Sequence, residues 1–112
     1  MKMMKSWQKS YHKLYLESKS NFDSQVIQWI TGKEEIIISA PFSFGFLSHE
    51  LSGIRKFKSG KLRILYILSI EKLDIWDVPP KEPEIMFLYV DLRKDETYKE
   101  ALKLLRKHGI IQ

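Results

Sequence analysis

Positively charged side chains are concentrated in one short stretch of the chain, residues 54–63. Five of these ten positions carry a cation and none carries an acid; the cations are Arg55, Lys56, Lys58, Lys61 and Arg63. Such a cluster suits a polyanionic partner such as nucleic acid. The structural alternative is that lysines beside a hairpin turn keep the strand edge in solvent and prevent unwanted pairing.

A second cationic group follows an apolar run of strand length, EIMFLYVDL at residues 84–92. Arg93 and Lys94 come directly after this run, and Tyr98 stands four residues further along. If the run pairs antiparallel with the apolar residues 62–70, its end lies beside the beginning of that strand. The sequence therefore predicts a cationic concavity with Tyr98 at its edge, formed by Lys56, Lys58, Arg63 and Arg93.

Arg63 is the most informative of these cations because it interrupts an apolar run. A charge inside such a strand is costly unless it is paired or faces a cleft. Asp91 is the partner that a purely structural role would use. Tyr98 also has a structural alternative, as the first residue in the apolar stripe of a C-terminal helix.

Several kinds of site are excluded by residues or motifs that the chain lacks. It has no cysteine, which excludes disulfides, thiolate nucleophiles and cysteine-based zinc sites. The three histidines, His12, His49 and His108, are scattered, and no carboxylates stand beside them at metal-ligand spacing. No phosphate-binding loop, dinucleotide-binding motif or hydrolase signature occurs. We therefore expect no metal and no other cofactor.

The length and composition predict one globular domain spanning residues 1–112. The formal net charge of +5 permits either nucleic acid or an acidic protein as a partner. The apolar runs fall short of the roughly 18 residues that a membrane span needs. No apolar stretch follows the basic N-terminus as it does in a signal peptide. We therefore expect a cytoplasmic protein without membrane contact.

The N-terminal part predicts a helical hairpin followed by a short strand. Apolar residues at helical spacing define the first helix: Trp7, Tyr11, Leu14 and Tyr15. The same spacing defines the second: Phe22, Val26, Trp29 and Ile30. Ser20 and Asp23 resemble a capping pair for the second helix, and Gly32 is placed to end it. The segment EEIIIS, residues 34–39, has the β-branched density of a strand.

The remaining pattern predicts strands and a final helix. IRKFK and LRILYILSI flank a hairpin turn, and EIMFLYVDL adds a second central strand beyond the exposed connection DVPPKEPE. In the last helix Thr97 and Glu100 form a capping pair, and Gly109 is the stop. The predicted fold class is α+β, with an N-terminal helical hairpin packed on an antiparallel sheet of three to four strands and a C-terminal helix.

Two segments of this chain resemble the RelE/ParE-like toxins of type II toxin–antitoxin systems. They are LSGIRKFKSGKLRILYIL and EIMFLYVDLRKDETYKEAL, and the similarity covers roughly residues 47–105. In that family a basic strand leads through a glycine turn into a strand that opens with arginine, as Lys58, Gly60 and Arg63 do here. The family also has a strand before its helical hairpin, for which residues 1–5 or EEIIIS are the candidates.

The resemblance implies an mRNA interferase of the RelE type, which cuts mRNA, often on the ribosome, without a metal. A 2′-hydroxyl attacks the adjacent phosphate and gives a 2′,3′-cyclic phosphate and a free 5′-hydroxyl. Lys56 or Lys58 is implied as general base, because neighbouring like charges lower each other's proton affinity. Arg63 is implied as the clamp on the phosphate, which stabilises charge that grows in the transition state.

Further residues receive roles from the same resemblance. Arg93 is expected to stabilise the leaving 5′-oxygen, and Tyr98 to stack on a base or orient the attacking hydroxyl. His49 is a remote candidate for acid–base work. The expected additional RNA-binding residues are Arg55, Lys61 and Lys94.

Two other functions fit the same fold. A ParE-like toxin poisons DNA gyrase through protein contacts, and a non-catalytic domain only binds RNA or protein. The sequence favours the nuclease because the basic residues coincide with the catalytic strands of RelE-type toxins. The expected partners are mRNA, the ribosome that presents it, and an acidic antitoxin protein that wraps the basic sheet.

Overall fold

The computed structural model describes residues 7–47, 53–92 and 98–111. Its elements follow in the order β1 (Gln8–Tyr11), α1 (Lys13–Ser20), α2 (Ser24–Ser39), β2 (Arg55–Ser59), β3 (Leu62–Leu68), β4 (Glu84–Leu92) and α3 (Lys99–Lys107). This is an α+β fold, as the sequence predicted. The basic hairpin β2–β3 and the strand β4 are confirmed.

The four strands form one sheet in the order β1-β4-β3-β2. The β2–β3 and β3–β4 pairs are antiparallel. β1 pairs with β4 in parallel, from Gln8 opposite Glu84 to Tyr11 opposite Phe87. Parallel pairing is possible here because a long connection, not a tight turn, joins these two strands. The sheet is therefore mixed, and the prediction of a purely antiparallel sheet is wrong at this edge.

The first predicted helix begins later than its apolar spacing indicates, because residues 8–11 form β1. Their backbone pairs with β4, and the ring of Tyr11 stacks on that of Phe87 at a centroid distance of 5.5 Å. Helix α1 starts after His12, whose Nδ1 accepts a hydrogen bond from the backbone N–H of Leu14 at 3.0 Å. β1 is thus the strand that the resemblance expects before the helical hairpin.

Helix α2 is longer than predicted and contains the EEIIIS segment, so the predicted strand at residues 34–39 is wrong. It also runs through Gly32, where the sequence predicted its end. Asp23 caps it by accepting a hydrogen bond from Val26 N at 3.0 Å, whereas Ser20 is the last residue of α1. Its buried residues recur at helical spacing: Ile30, Glu34 and Ile37. Packing on this face outweighs the strand preference of β-branched residues.

Helices cover the sheet on both faces, so two apolar clusters flank it. One cluster joins alternate residues of β3 to α1 and α2; it includes Ile64, Tyr66, Tyr15, Ile30 and Ile37. The other joins the intervening residues of β3 to α3; it includes Leu65, Ile67, Ala101 and Leu105. All of β3 is buried for this reason, and its sequence is a nearly continuous apolar run.

Helix α3 follows Tyr98 and ends before Gly109, whose φ of 73° is left-handed, as predicted for a helix stop. The predicted cap residue Thr97 lies outside the described residues. Within the described ranges, no helix combines the length and the apolar character that crossing a membrane requires.

A buried carboxylate ties β1, α1 and α2 together. Glu34 is 1% exposed and accepts hydrogen bonds from the hydroxyls of Tyr15 at 2.6 Å and Tyr11 at 3.2 Å. Lys19 Nζ lies 2.8 Å from the same carboxylate. Burial and the neighbouring Glu34 raise the pKa of Tyr15, so its hydroxyl stays protonated and donates.

Removing this carboxylate should destabilise the protein. Glu34→Ala leaves the buried Tyr15 hydroxyl without its acceptor and removes the ion pair of Lys19, so we expect the unfolding free energy to fall by about 3 kcal/mol. Urea denaturation measures this loss. The neighbouring Glu35 is the control, because its ion pair with Lys9 is exposed and Glu35→Ala should cost at most about 0.5 kcal/mol. Equal losses in both variants would contradict the account.

The cap of α1 should make the fold sensitive to acid. Burial lowers the pKa of His12, and His108, with its ring centroid 6.0 Å away, lowers it further. Only the neutral ring accepts the cap hydrogen bond, so this stabilisation exists above the unfolded pKa of about 6.5 and is lost as the pH falls below it. His12→Asn keeps a cap acceptor that does not titrate.

We therefore expect the unfolding free energy of the unaltered protein to fall more steeply than that of His12→Asn between about pH 7.5 and pH 5. Urea denaturation at a series of pH values measures both slopes. Parallel curves for the two proteins would show that the cap does not titrate in this range.

Candidate active site

Lys58, Arg63 and Asp91 form a row across three strands of the sheet. Lys58 lies opposite Arg63 in the β2–β3 pair, and Arg63 lies opposite Asp91 in the β3–β4 pair. Directly opposite residues point to the same face of a sheet. Arg63 and Leu65 are two residues apart on β3 and therefore point to the same face. This is the face that α3 covers, because Leu65 packs against that helix. We call these three residues the cross-strand row.

Arg63 is held beside the turn that joins β2 and β3. Its side chain is 5% exposed, and Nη1 donates to the carbonyl oxygens of Gly60 at 2.6 Å and Leu62 at 3.0 Å. The turn favours glycine at position 60 because φ there is 60°, in the left-handed region. The backbone of the basic hairpin therefore fixes the orientation of its own arginine.

Lys56 and Lys58 lie on the same face as Arg63, as their alternation along β2 requires. Lys56 is opposite Leu65 and half-buried, whereas Lys58 is exposed. Lys61 is exposed in the turn. Of the residues that the sequence singled out, the structure thus brings Lys56, Lys58 and Arg63 together on one face near one end of the sheet.

Tyr89 positions the acidic member of the row. Its hydroxyl donates to Asp91 Oδ2 at 3.2 Å, and the backbone N–H of Leu92 donates to Oδ1 at 2.8 Å. Tyr89 is 5% exposed and belongs to the apolar cluster beneath α3. Sequence reasoning considered Asp91 only as a structural partner and missed Tyr89. The available signal was their two-residue spacing in one strand, which places both side chains on one face.

Tyr98 immediately precedes α3 and is half-buried against the apolar cluster that contains Leu65 and Leu105. This packing agrees with the structural alternative, in which Tyr98 opens the apolar stripe of the helix. Three further candidates lie outside the described residues: His49, Arg93 and Lys94.

Arg55 lies on the opposite face from the cross-strand row and serves the fold. Its guanidinium binds the Glu71 carboxylate at 2.6 and 2.9 Å, donates to the Phe44 carbonyl oxygen and lies 4.0 Å from the ring centroid of Phe46. The hydrogen bond with Glu71 raises the pKa of Arg55. The residue as a whole is only 7% exposed. The expectation that Arg55 binds RNA is therefore corrected: its donors are used inside the protein.

This placement predicts a stability effect that separates Arg55 from the exposed cations. Arg55→Met leaves the Glu71 carboxylate and the carbonyl oxygens of Phe44 and Phe42 without their donor, so the unfolding free energy should fall by about 3 kcal/mol. Lys61→Met, at an exposed position in the adjoining turn, should change it by no more than about 0.5 kcal/mol. Thermal and urea unfolding of both variants measure the contrast, and similar losses would show that Arg55 is not the structural cation.

A cleft of about 410 Å³ lies beside the row, between α1, the end of β4 and α3. Its charged lining is mainly acidic: Glu17, Asp91 and Glu100 face Lys107. Neither Lys56 nor Lys58 is among the residues that line it. Among the described residues, no three histidine or carboxylate side chains are grouped so that they could hold a metal ion.

No family model matches the chain, and no curated protein matches it in sequence. Solved structures do match its fold. The RelBE2 toxin–antitoxin complex from Mycobacterium tuberculosis matches with a TM-score of 0.64 at 18% identity, over 83% of this chain and 98% of that chain.

Two further structures are similar. The isolated RelE toxin of E. coli matches with a TM-score of 0.58 at 16% identity, over 89% of this chain and 99% of that one. The archaeal RelE–RelB complex from Pyrococcus horikoshii matches with a TM-score of 0.52 at 15% identity, over 82% and 100%. The chain thus has the fold of the RelE toxins, and the resemblance found in the sequence is confirmed at the level of the fold.

Proposed function

We propose that this chain is the toxin of a toxin–antitoxin pair and that it cleaves mRNA without a metal. The proposal is supported by the RelE-like fold and by the residues on the α3-covered face. The cross-strand row is the observation that carries it. Lys58 and Arg63 bring two phosphate-binding groups to one point of a rigid sheet, with the Asp91 carboxylate beside them.

The chemistry begins with removal of a proton from the 2′-hydroxyl of the substrate. Lys56 and Lys58 are two residues apart on one face of β2. One of these two lysines is the proposed base, the role that the resemblance implies for them. The 2′-oxygen then forms a bond to phosphorus while the bond from phosphorus to the 5′-oxygen breaks. The leaving oxygen takes up a proton and ends as a free 5′-hydroxyl.

Arg63 stabilises the negative charge that grows on the phosphate during this exchange. A guanidinium is suited to this because its planar donors match two phosphate oxygens at once. The bonds to Gly60 and Leu62 orient the group before the substrate arrives, which lowers the reorganisation needed in the transition state. Asp91, opposite Arg63, is a positioning residue. Arg93 and Tyr98 keep their expected roles at the leaving oxygen and at a base as part of the proposal.

A non-catalytic binding domain is the second candidate, and one observation favours it. Arg63 is only 5% exposed, as a cation with a purely structural role would be. The two candidates predict different results for RNA cleavage, because only the nuclease cleaves RNA and needs Arg63 to do so.

An acidic antitoxin is the proposed protein partner, and mRNA in the ribosome is the proposed substrate. Two of the solved structures with this fold are toxin–antitoxin complexes. The net charge of +5 favours a partner of opposite sign.

Cleavage of translated mRNA tests the proposal. We expect the unaltered chain to give fragments with a 2′,3′-cyclic phosphate, and RNA with a 2′-deoxy sugar at the cleaved position to stay intact. Arg63→Ala and Lys58→Met should each lower the cleavage rate by about 100-fold or more, because each removes a group that acts on the transition state. Lys81→Ala, which changes an exposed cation in the connection between β3 and β4, is the matched control and should cleave normally.

Folding must be checked because Arg63 is buried, so thermal unfolding is measured for every variant. Lys58 is exposed, and its variant tests the chemistry even if Arg63→Ala is unstable. Cleavage at the normal rate by folded Lys58→Met and Arg63→Ala, or fragments that carry a 5′-phosphate, would contradict the nuclease. Growth arrest with intact mRNA would instead favour a toxin that acts through protein contacts.

A further inference from the structure

Helix α3 exposes a series of cations on the side that faces away from the sheet. Its buried residues are Ala101 and Leu105. The exposed cations relevant here are Lys99, Lys103 and Arg106, which recur at intervals of four and three residues. Residues at these intervals are neighbours on a helix surface. We call these three residues the α3 basic face.

Part of this face lies on the flank of α3 that is turned away from the acidic cleft. Glu100 and Lys107 line the acidic cleft on the flank of α3 toward α1. At 100° per residue, Lys99 and Arg106 lie on the other flank, toward β2. On that side β2 presents Lys56 and Lys58 from the sheet face that α3 covers. Because the cleft lies on the β4 side of the sheet and β2 on the opposite side, the flank of α3 that carries Lys99 and Arg106 is the one nearer to Lys56 and Lys58.

The helix dipole does not explain the whole of this pattern. Cations near the C-terminal end of a helix are favoured by its dipole, which accounts for Arg106 and Lys107. Lys99 is the first residue of α3, where the dipole disfavours a positive charge, and Lys103 is in the middle. A ligand outside the helix provides a reason for a cation at these two positions.

We propose that the α3 basic face binds the sugar-phosphate backbone of the RNA strand whose scissile phosphate lies at the cross-strand row. This inference rests on the proposed function and adds a binding surface to it. From Lys99 to Arg106 the helix rises about 10 Å, so the face reaches phosphates beyond the one that is cleaved. Lysine and arginine side chains bind phosphates electrostatically and without sequence preference.

The composition of this face favours RNA over an antitoxin segment. The centre of a protein interface is rich in apolar and aromatic groups and poor in lysine. In the described part of the chain, no large apolar side chain of α3 is exposed. The exposed aromatic residues lie elsewhere: Trp29, Phe42 and Phe46. A purely cationic face matches a polyanionic backbone.

Two charge-matched triple variants test the proposal. Lys99→Gln/Lys103→Gln/Arg106→Gln removes the α3 basic face, and glutamine keeps nearly the same helix propensity. Lys9→Gln/Lys13→Gln/Lys81→Gln removes three exposed lysines from other surfaces and gives the same net charge. The probe is a single-stranded RNA with 2′-O-methyl sugars, which cannot be cleaved by 2′-hydroxyl attack. Fluorescence anisotropy over a range of KCl concentrations gives the affinity.

We expect the α3 variant to bind RNA about tenfold more weakly near 0.1 M salt. The slope of log affinity against log salt concentration should become shallower by about 2, because each of the three lost phosphate contacts accounts for about 0.7. The control variant should differ from the unaltered protein by less than about threefold in affinity, because its lysines do not contact phosphates. A dinucleotide probe should not distinguish the two variants, since it ends at the scissile phosphate.

Equal RNA affinities of the two triple variants would overturn the inference. So would a loss that persists with the dinucleotide, or an α3 variant that releases a co-expressed antitoxin while its RNA affinity is unchanged. Cleavage of translated mRNA by the same preparations keeps the two proposals apart. If the unaltered chain cleaves and the α3 variant behaves as the control, only this inference fails. If the unaltered chain neither cleaves nor binds RNA, both fail.

Discussion

The antiparallel register of β3 and β4 is the constraint on which the candidate site depends. It places Leu62 opposite Leu92 and therefore Arg63 opposite Asp91. The adjoining hairpin adds Lys58 to the same row. A shift of one residue would turn Arg63 to the other face of the sheet. The register is secured because β3 packs against helices on both sides, so the apolar core and the polar row specify the same alignment.

Charged groups have opposite uses on the two faces of the sheet. On the face covered by α1 and α2, Glu34 and Arg55 are buried with their partners and stabilise the fold. On the face covered by α3, Lys56 and Lys58 remain accessible beside Arg63. Of the β2 cations, those on the α3-covered face are therefore the ones accessible to a phosphate backbone.

The sequence predicted the strands that carry the row, since their apolar runs are long and bounded by turn residues and charges. It failed where local pattern and tertiary packing disagree. Trp7 and Tyr11 have helical spacing with Leu14, yet pairing with β4 makes residues 8–11 a strand. The isoleucines of residues 34–39 favour a strand but continue α2. Arg55 and Lys58 are both cations of β2, and the sequence pattern does not distinguish their roles. The structure does, because Arg55 contacts Glu71 and the rings of Phe42 and Phe46, whereas Lys58 is exposed.

A double-mutant cycle on RNA cleavage tests the central claim most directly, that Lys58 and Arg63 act on one phosphate. The rates of Lys58→Met, Arg63→Ala and the double variant are compared under single-turnover conditions. Groups that act as a unit show strongly non-additive effects. We predict that the double variant cleaves no more than a few-fold more slowly than the slower single variant. A double variant whose loss in cleavage rate equals the product of the two single losses would contradict a shared site. Normal cleavage by either single variant would also contradict it.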